Sequence, residues 1–66
     1  MLTPKQGDIL KYVDKYGKYG ISAMDIGIAF GYPRKKAEKW AKPALNQLTK
    51  QKFIERRDGL YFSKQN

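Results

Sequence analysis

Between Gly31 and Lys50 the chain carries two interleaved patterns, and a helix is the local structure that separates them. Lys35, Lys39, Lys42, Asn46 and Lys50 recur at steps of four, three, four and four residues. At about 100° per residue, those steps hold all five side chains within an arc of roughly 80°. Ala37, Trp40, Ala41, Ala44, Leu45 and Leu48 fill the opposite side as an apolar stripe. A helix that is apolar on one face and almost purely cationic on the other docks on a small core and offers charge outward. A charge run alone is also what a solvated helix face carries, so its meaning depends on its surroundings.

Those surroundings are one small domain. A chain of 66 residues buries only about 60% of the surface its unfolded form exposes, so the core is small. Hydrophobic residues make up 41% of it and aromatics run from Tyr12 to Phe62, as in a folded module rather than a disordered tail. With neither Cys nor His, disulfide staples, zinc fingers and thiol or imidazole catalysis are excluded. The six carboxylates are scattered and no glycine-rich phosphate loop is present, so no enzyme activity is expected. Nor is a cofactor, metal or small-molecule ligand. No apolar run nears the roughly 18 residues of a membrane span and no signal-peptide pattern is visible, which sets the expectation of a cytoplasmic protein with no membrane partner.

The net charge of +8 is unevenly placed. Residues 1–33 carry four Lys against three Asp, a net +1, whereas residues 34–66 carry ten Lys and Arg against Glu38, Glu55 and Asp58, a net +7. A basic half on a compact domain is the electrostatic footprint of a nucleic-acid binder.

Ahead of the cationic stretch, two helices are predicted, at about 4–16 and 22–30. Thr3, Pro4 and Gln6 form a T-P-x-Q start, with a capping box and proline at the first helical position. Ile9, Leu10, Val13 and Tyr16 follow as a buried face, and Gly17 is placed to end the helix through its tolerance of positive φ. After a turn, Ile21 suits a short strand and Ser22 caps the second helix, with Asp25 near its positive end. Ile26, Ala29 and Phe30 give that helix its apolar face. Gly27 inside it costs about 1 kcal/mol relative to Ala, which points to close packing against another helix. The third helix is expected over 34–50.

After it, Phe53-Ile54-Glu55-Arg56-Arg57 and Leu60-Tyr61-Phe62-Ser63 flank Asp58-Gly59, a two-residue type I′ hairpin signal over about 53–63. The turn pairs Arg57 with Leu60, Arg56 with Tyr61 and Glu55 with Phe62. Residues 64–66 are expected to fray.

Gly27 and Gly31 spaced by four, Ala37 and Trp40 at six and nine positions beyond Gly31, and the hairpin that follows resemble a winged helix-turn-helix domain. The resemblance covers nearly the whole chain. It implies a mainly α fold of three helices with a C-terminal two- or three-stranded wing, binding double-stranded DNA as a small transcriptional regulator or accessory factor. The third helix would enter the major groove. Two departures stand out: the span from Gly31 to Leu48 is about one turn longer than usual, and Pro43 lies inside the helix. Pro43 either kinks the helix, with its ring toward solvent, or splits it near Lys42.

A helix over 34–50 is about 25 Å long, whereas the major groove is about 12 Å wide. The resemblance places its N-terminal half in the groove, making Arg34, Lys35, Glu38 and Lys39 candidates for base edges. Lys42, Asn46 and Lys50 fall to phosphate contacts, with Asn46 reading adenine only for a deeply seated helix, and Lys36 is a further candidate for contact with DNA. Arg56 and Arg57 resemble wing residues on the backbone or minor groove. Trp40 is expected in the core, while Tyr19 and Tyr32 are loop-edge aromatics within reach of sugar or phosphate. A domain this small is expected to act as a homodimer or with a partner protein. Two other readings fit the same features: a winged-helix interaction module docking an acidic protein, and an RNA-binding protein.

Overall fold

The computed structural model describes residues 2–64. They form α1 (Pro4–Tyr16), β1 (Ile21–Ser22), α2 (Ala23–Ala29), α3 (Arg34–Lys50), β2 (Ile54–Arg57) and β3 (Leu60–Ser63). Three helices thus pack with a three-stranded antiparallel sheet of order β1–β3–β2, a layout consistent with a winged helix. The expected fraying at residues 65–66 lies outside the described residues. Among the latter, no helix is long and apolar enough to cross a membrane.

The capping box of α1 is present in full. Thr3 Oγ1 accepts from the Gln6 N–H at 3.1 Å, and Gln6 Oε1 accepts from the Thr3 N–H at 3.2 Å. The end of α1 differs from expectation. Gly17 has a negative φ of −92°, the chain tightens into a 3₁₀ turn over Gly17–Tyr19, and the positive φ falls at Gly20. Gly17 is held small from two sides, by Val13 of its own helix and by the β3 backbone that crosses it. A Cβ there would lie 2.9 Å from Val13 Cγ1 and 3.3 Å from the Ser63 nitrogen.

Ser22 serves both the sheet and α2: it pairs opposite Leu60, and its hydroxyl accepts from the Asp25 N–H at 3.1 Å. α2 ends in a Schellman motif. The Gly31 N–H donates to Ile28 at 2.9 Å and the Tyr32 N–H donates to Gly27 at 3.1 Å, with Gly31 at φ +95°. α3 ends in the same way. The Lys52 N–H donates to Thr49 at 3.0 Å and the Phe53 N–H donates to Leu48 at 2.9 Å. Here Lys52, at φ +67°, occupies the left-handed position that a glycine usually takes. Phe53 belongs to this cap and is exposed, so the hairpin's first strand starts one residue later than predicted, at Ile54.

α3 runs unbroken through Pro43, which lies on its exposed side. The split near Lys42 does not occur. The Lys39 carbonyl that Pro43 cannot serve is on the same solvated side, where water can hydrate it.

The predicted hairpin register holds: Arg57 opposes Leu60, Arg56 opposes Tyr61 and Glu55 opposes Phe62. Asp58 and Gly59 have φ of +53° and +78°, the double positive φ of a type I′ turn. Ile21 opposes Tyr61, which adds β1 as a third strand.

The core joins Ile9 and Val13 of α1, Ala23 and Ile26 of α2, Ala41, Ala44, Leu45 and Leu48 of α3, and Ile54 and Tyr61 of the sheet. Some expected positions lie further out, Leu10 and Phe30 being only partly buried against the core. Tyr16, on the last turn of α1, is 55% exposed. Ala29 is exposed, and Ala23 supplies the buried alanine of α2 instead. Trp40 is half-buried, packed on the edge of the core rather than inside it.

Gly27 meets α3 backbone to backbone. A Cβ at this position would stand 2.5 Å from both the Cα and the carbonyl carbon of Ala37, atoms that no rotamer change can move. Gly27→Ala is expected to destabilise the fold by about 3 kcal/mol or more, read as a lower urea midpoint at unchanged m-value. Lys52→Gly acts in the opposite sense. It relieves a left-handed residue and should add about 0.5–1 kcal/mol, raising the melting temperature by roughly 2–8 °C.

Candidate nucleic-acid interface

Because Ala37, Ala41, Ala44, Leu45 and Leu48 anchor α3 to the core, helical geometry turns the remaining side chains outward. Arg34, Lys35, Lys36, Glu38, Lys39, Lys42, Asn46 and Lys50 are all exposed. Lys35, Lys39, Lys42, Asn46 and Lys50 form a continuous ridge along the helix. Over its length α3 carries six cations and one acid.

The first turn of α3 runs against the usual electrostatic preference. Pro33 supplies no side-chain cap, no acidic residue is present, and Arg34, Lys35 and Lys36 occupy the turn. The Lys36 and Ala37 N–H groups reach the Pro33 carbonyl at 2.8 and 2.9 Å. The Arg34 and Lys35 N–H groups precede the first helical bond and have no helical acceptor. Three cations therefore sit on the positive pole of a helix dipole, which costs folding stability and makes this end attractive to anions.

A depression lies on each flank of the ridge. On one side α2, α3 and the wing enclose about 260 Å³ lined by Ser22, Ala23, Met24, Glu38, Lys42, Arg56, Gly59 and Tyr61. Within it Glu38 Oε2 and Lys42 Nζ form an i,i+4 ion pair at 3.5 Å, about half exposed on both sides. At that exposure the pair adds at most a few tenths of a kcal/mol, so it opens readily. On the other side, Tyr32, Lys35, Lys36, Lys39 and Trp40 line a shallower depression.

The wing arginines are not brought together. Strand alternation sends Arg56 to the face shared with Ile54 and Tyr61, where it joins Glu38 and Lys42. Arg57 takes the outer face, with its guanidinium 4.2 Å from the Phe62 ring centroid, a cation–π contact. Lys50 stands at the far end of α3, about 22 Å along the helix from Lys35 at 1.5 Å per residue. Met24 and Ser22 were absent from the sequence-derived site. They enter it through the wing's fold against the start of α2, a long-range placement with no local signature.

No protein-family model matches the chain, and no curated protein or solved structure is significantly similar to it. The case for a function therefore rests on the chemistry of this surface.

The inverted charge of the first turn has a measurable consequence. Arg34→Glu replaces a repelled cation with an attracted anion and should stabilise the fold by about 0.5–1 kcal/mol at low ionic strength. The gain should shrink in high salt, as thermal melts at two salt concentrations would reveal.

Proposed function

We propose that this chain binds double-stranded DNA, with the N-terminal half of α3 in the major groove and the wing beside it. The observation that carries this reading is the exposed, uncapped, cation-rich start of α3, continued by a lysine ridge and flanked by Arg56. A first turn built against its own dipole makes sense where an external anion offsets the repulsion.

Arg34, Lys35 and Lys39 are the candidates for guanine O6 and N7. Glu38 is the candidate for cytosine N4, released from Lys42 as that ammonium turns to a phosphate. Lys36, Lys42, Asn46 and Lys50 hold the backbone and position the helix. Arg56 acts with α3, whereas Arg57 lies across the sheet from it and contributes less. A duplex of A-form RNA is the poorer target, because its deep, narrow major groove does not admit a helix. A single domain of this size covers too little DNA for high specificity, so a second copy or a partner protein completes the site. The role that follows is that of a small regulator or accessory factor.

A salt titration of binding to random duplex DNA tests the proposal. With about five cations on phosphates, the log–log slope should be near −4 to −5, and affinity should fall by about 10²–10³ between 50 and 200 mM salt. Replacing Lys35, Lys39 and Lys42 by Ala should weaken binding, and flatten the slope by about 1 through the loss of Lys42, with the fold intact by circular dichroism. Absence of duplex binding at low salt overturns the reading. Tighter binding to an acidic polypeptide than to DNA would instead favour an interaction module.

A further inference from the structure

Beside α3, a ladder of aromatic rings crosses the surface. Ring centroids are 4.7 Å apart for Tyr16 and Tyr12, 5.6 Å for Tyr12 and Phe30, 5.3 Å for Phe30 and Trp40, and 4.3 Å for Trp40 and Tyr32. The last pair differs from the others in being nearly parallel, at 21°. The ammonium of Lys5 also lies over the Trp40 ring, 4.6 Å from its centroid.

Tyr12, Phe30 and Trp40 pack against the core, but Tyr32 is not among the residues that do. Its backbone is fixed by the Schellman bond to Gly27, and its ring rests on Trp40 while remaining 37% exposed. The same depression is lined by Lys35, Lys36 and Lys39. An oriented, exposed aromatic residue thus shares the depression with three lysines. Lys35 and Lys39 belong also to the α3 ridge, so the depression continues the surface proposed for duplex DNA.

We infer that this depression takes an unpaired nucleotide of DNA, whose base stacks on Tyr32 while its phosphate meets Lys36, next to the duplex held by Lys35 and Lys39. The inference rests on duplex binding by α3 and deepens it: the preferred target is a duplex carrying a short single-stranded extension. A cationic groove with an aromatic platform is the chemistry that holds single strands, and it tolerates any base because every base has a π-face. An acidic peptide would use the ammonium groups but leave the ring face idle.

The test compares a blunt duplex of about 20 base pairs with the same duplex extended by about three unpaired nucleotides. The extension should tighten binding about tenfold, and 2-aminopurine placed within it should lose fluorescence on binding. Tyr32→Phe keeps the ring and should retain both effects. Tyr32→Leu keeps apolar cover over Trp40 but should lose both, read as an extended-to-blunt affinity ratio near about 1 in the same variant. Equal affinity for blunt and extended duplexes overturns the inference and leaves duplex binding standing. Full retention of the increment by a folded Tyr32→Leu protein overturns it as well. Failure to bind either DNA overturns the duplex reading on which the inference rests.

Discussion

The contact of Gly27 with the Ala37 backbone fixes where α3 lies, and the candidate interface depends on that placement. With no side chain between the two helices at this point, α2 and α3 approach as closely as backbone permits. The buried stripe of α3 is correspondingly small, with Ala37, Ala41 and Ala44 beside Leu45 and Leu48. Alanines bury little area, so cohesion here comes from the density of contact more than from volume removed from water. A domain of 66 residues has few kcal/mol to spare. One methyl group in the wrong place can consume much of that margin.

Against this narrow margin, the departures from local preference on α3 are informative. Its first turn places three cations on a positive pole, Pro43 removes a helical hydrogen bond, and Lys52 takes a left-handed conformation just past its end. Each is destabilising by its own local rule. The first lies where an external anion would offset the repulsion. Pro43 lies on the exposed side, where hydration limits its cost and the apolar stripe passes undisturbed. Lys52 lines neither depression beside α3, and nothing in the structure explains the choice of lysine there. Local rules broken without compensation inside the molecule tend to mark sites whose compensation comes from outside.

What could be read from the sequence divides by range. The capping box of α1, the hairpin register and the turn at Gly31 depend on residues close in the chain, and all appear as predicted; the close packing of Gly27 was legible because glycine inside a helix is locally unfavourable. Gly17 does cap the end of α1, as predicted, but at negative φ, and its contact with β3, more than forty positions away, left no local signal. Tyr16 and Ala29 fall on apolar helical faces but lie at helix ends that extend past the core. The second Schellman motif was hidden because a lysine stands where glycine is the usual signal. For the site, strand alternation distinguished Arg56 from Arg57 in principle. Which of them faces α3 became decidable only once Ile54 and Tyr61 were placed in the core.

The two flanks of the α3 ridge offer different chemistry. Toward the wing, Glu38 presents an acceptor for a base edge, and Lys42 and Arg56 beside it offer charge to the backbone. Toward the Tyr32 side, lysines and a ring face offer charge and stacking, which hold a strand without regard to its sequence. Lys35 and Lys39 belong to both the ridge and the Tyr32 flank, so a nucleic acid seated on one is already aligned with the other. Gly27 and Gly31 act together: one brings α3 close to the core, and the other turns the chain so that Tyr32 lands on Trp40.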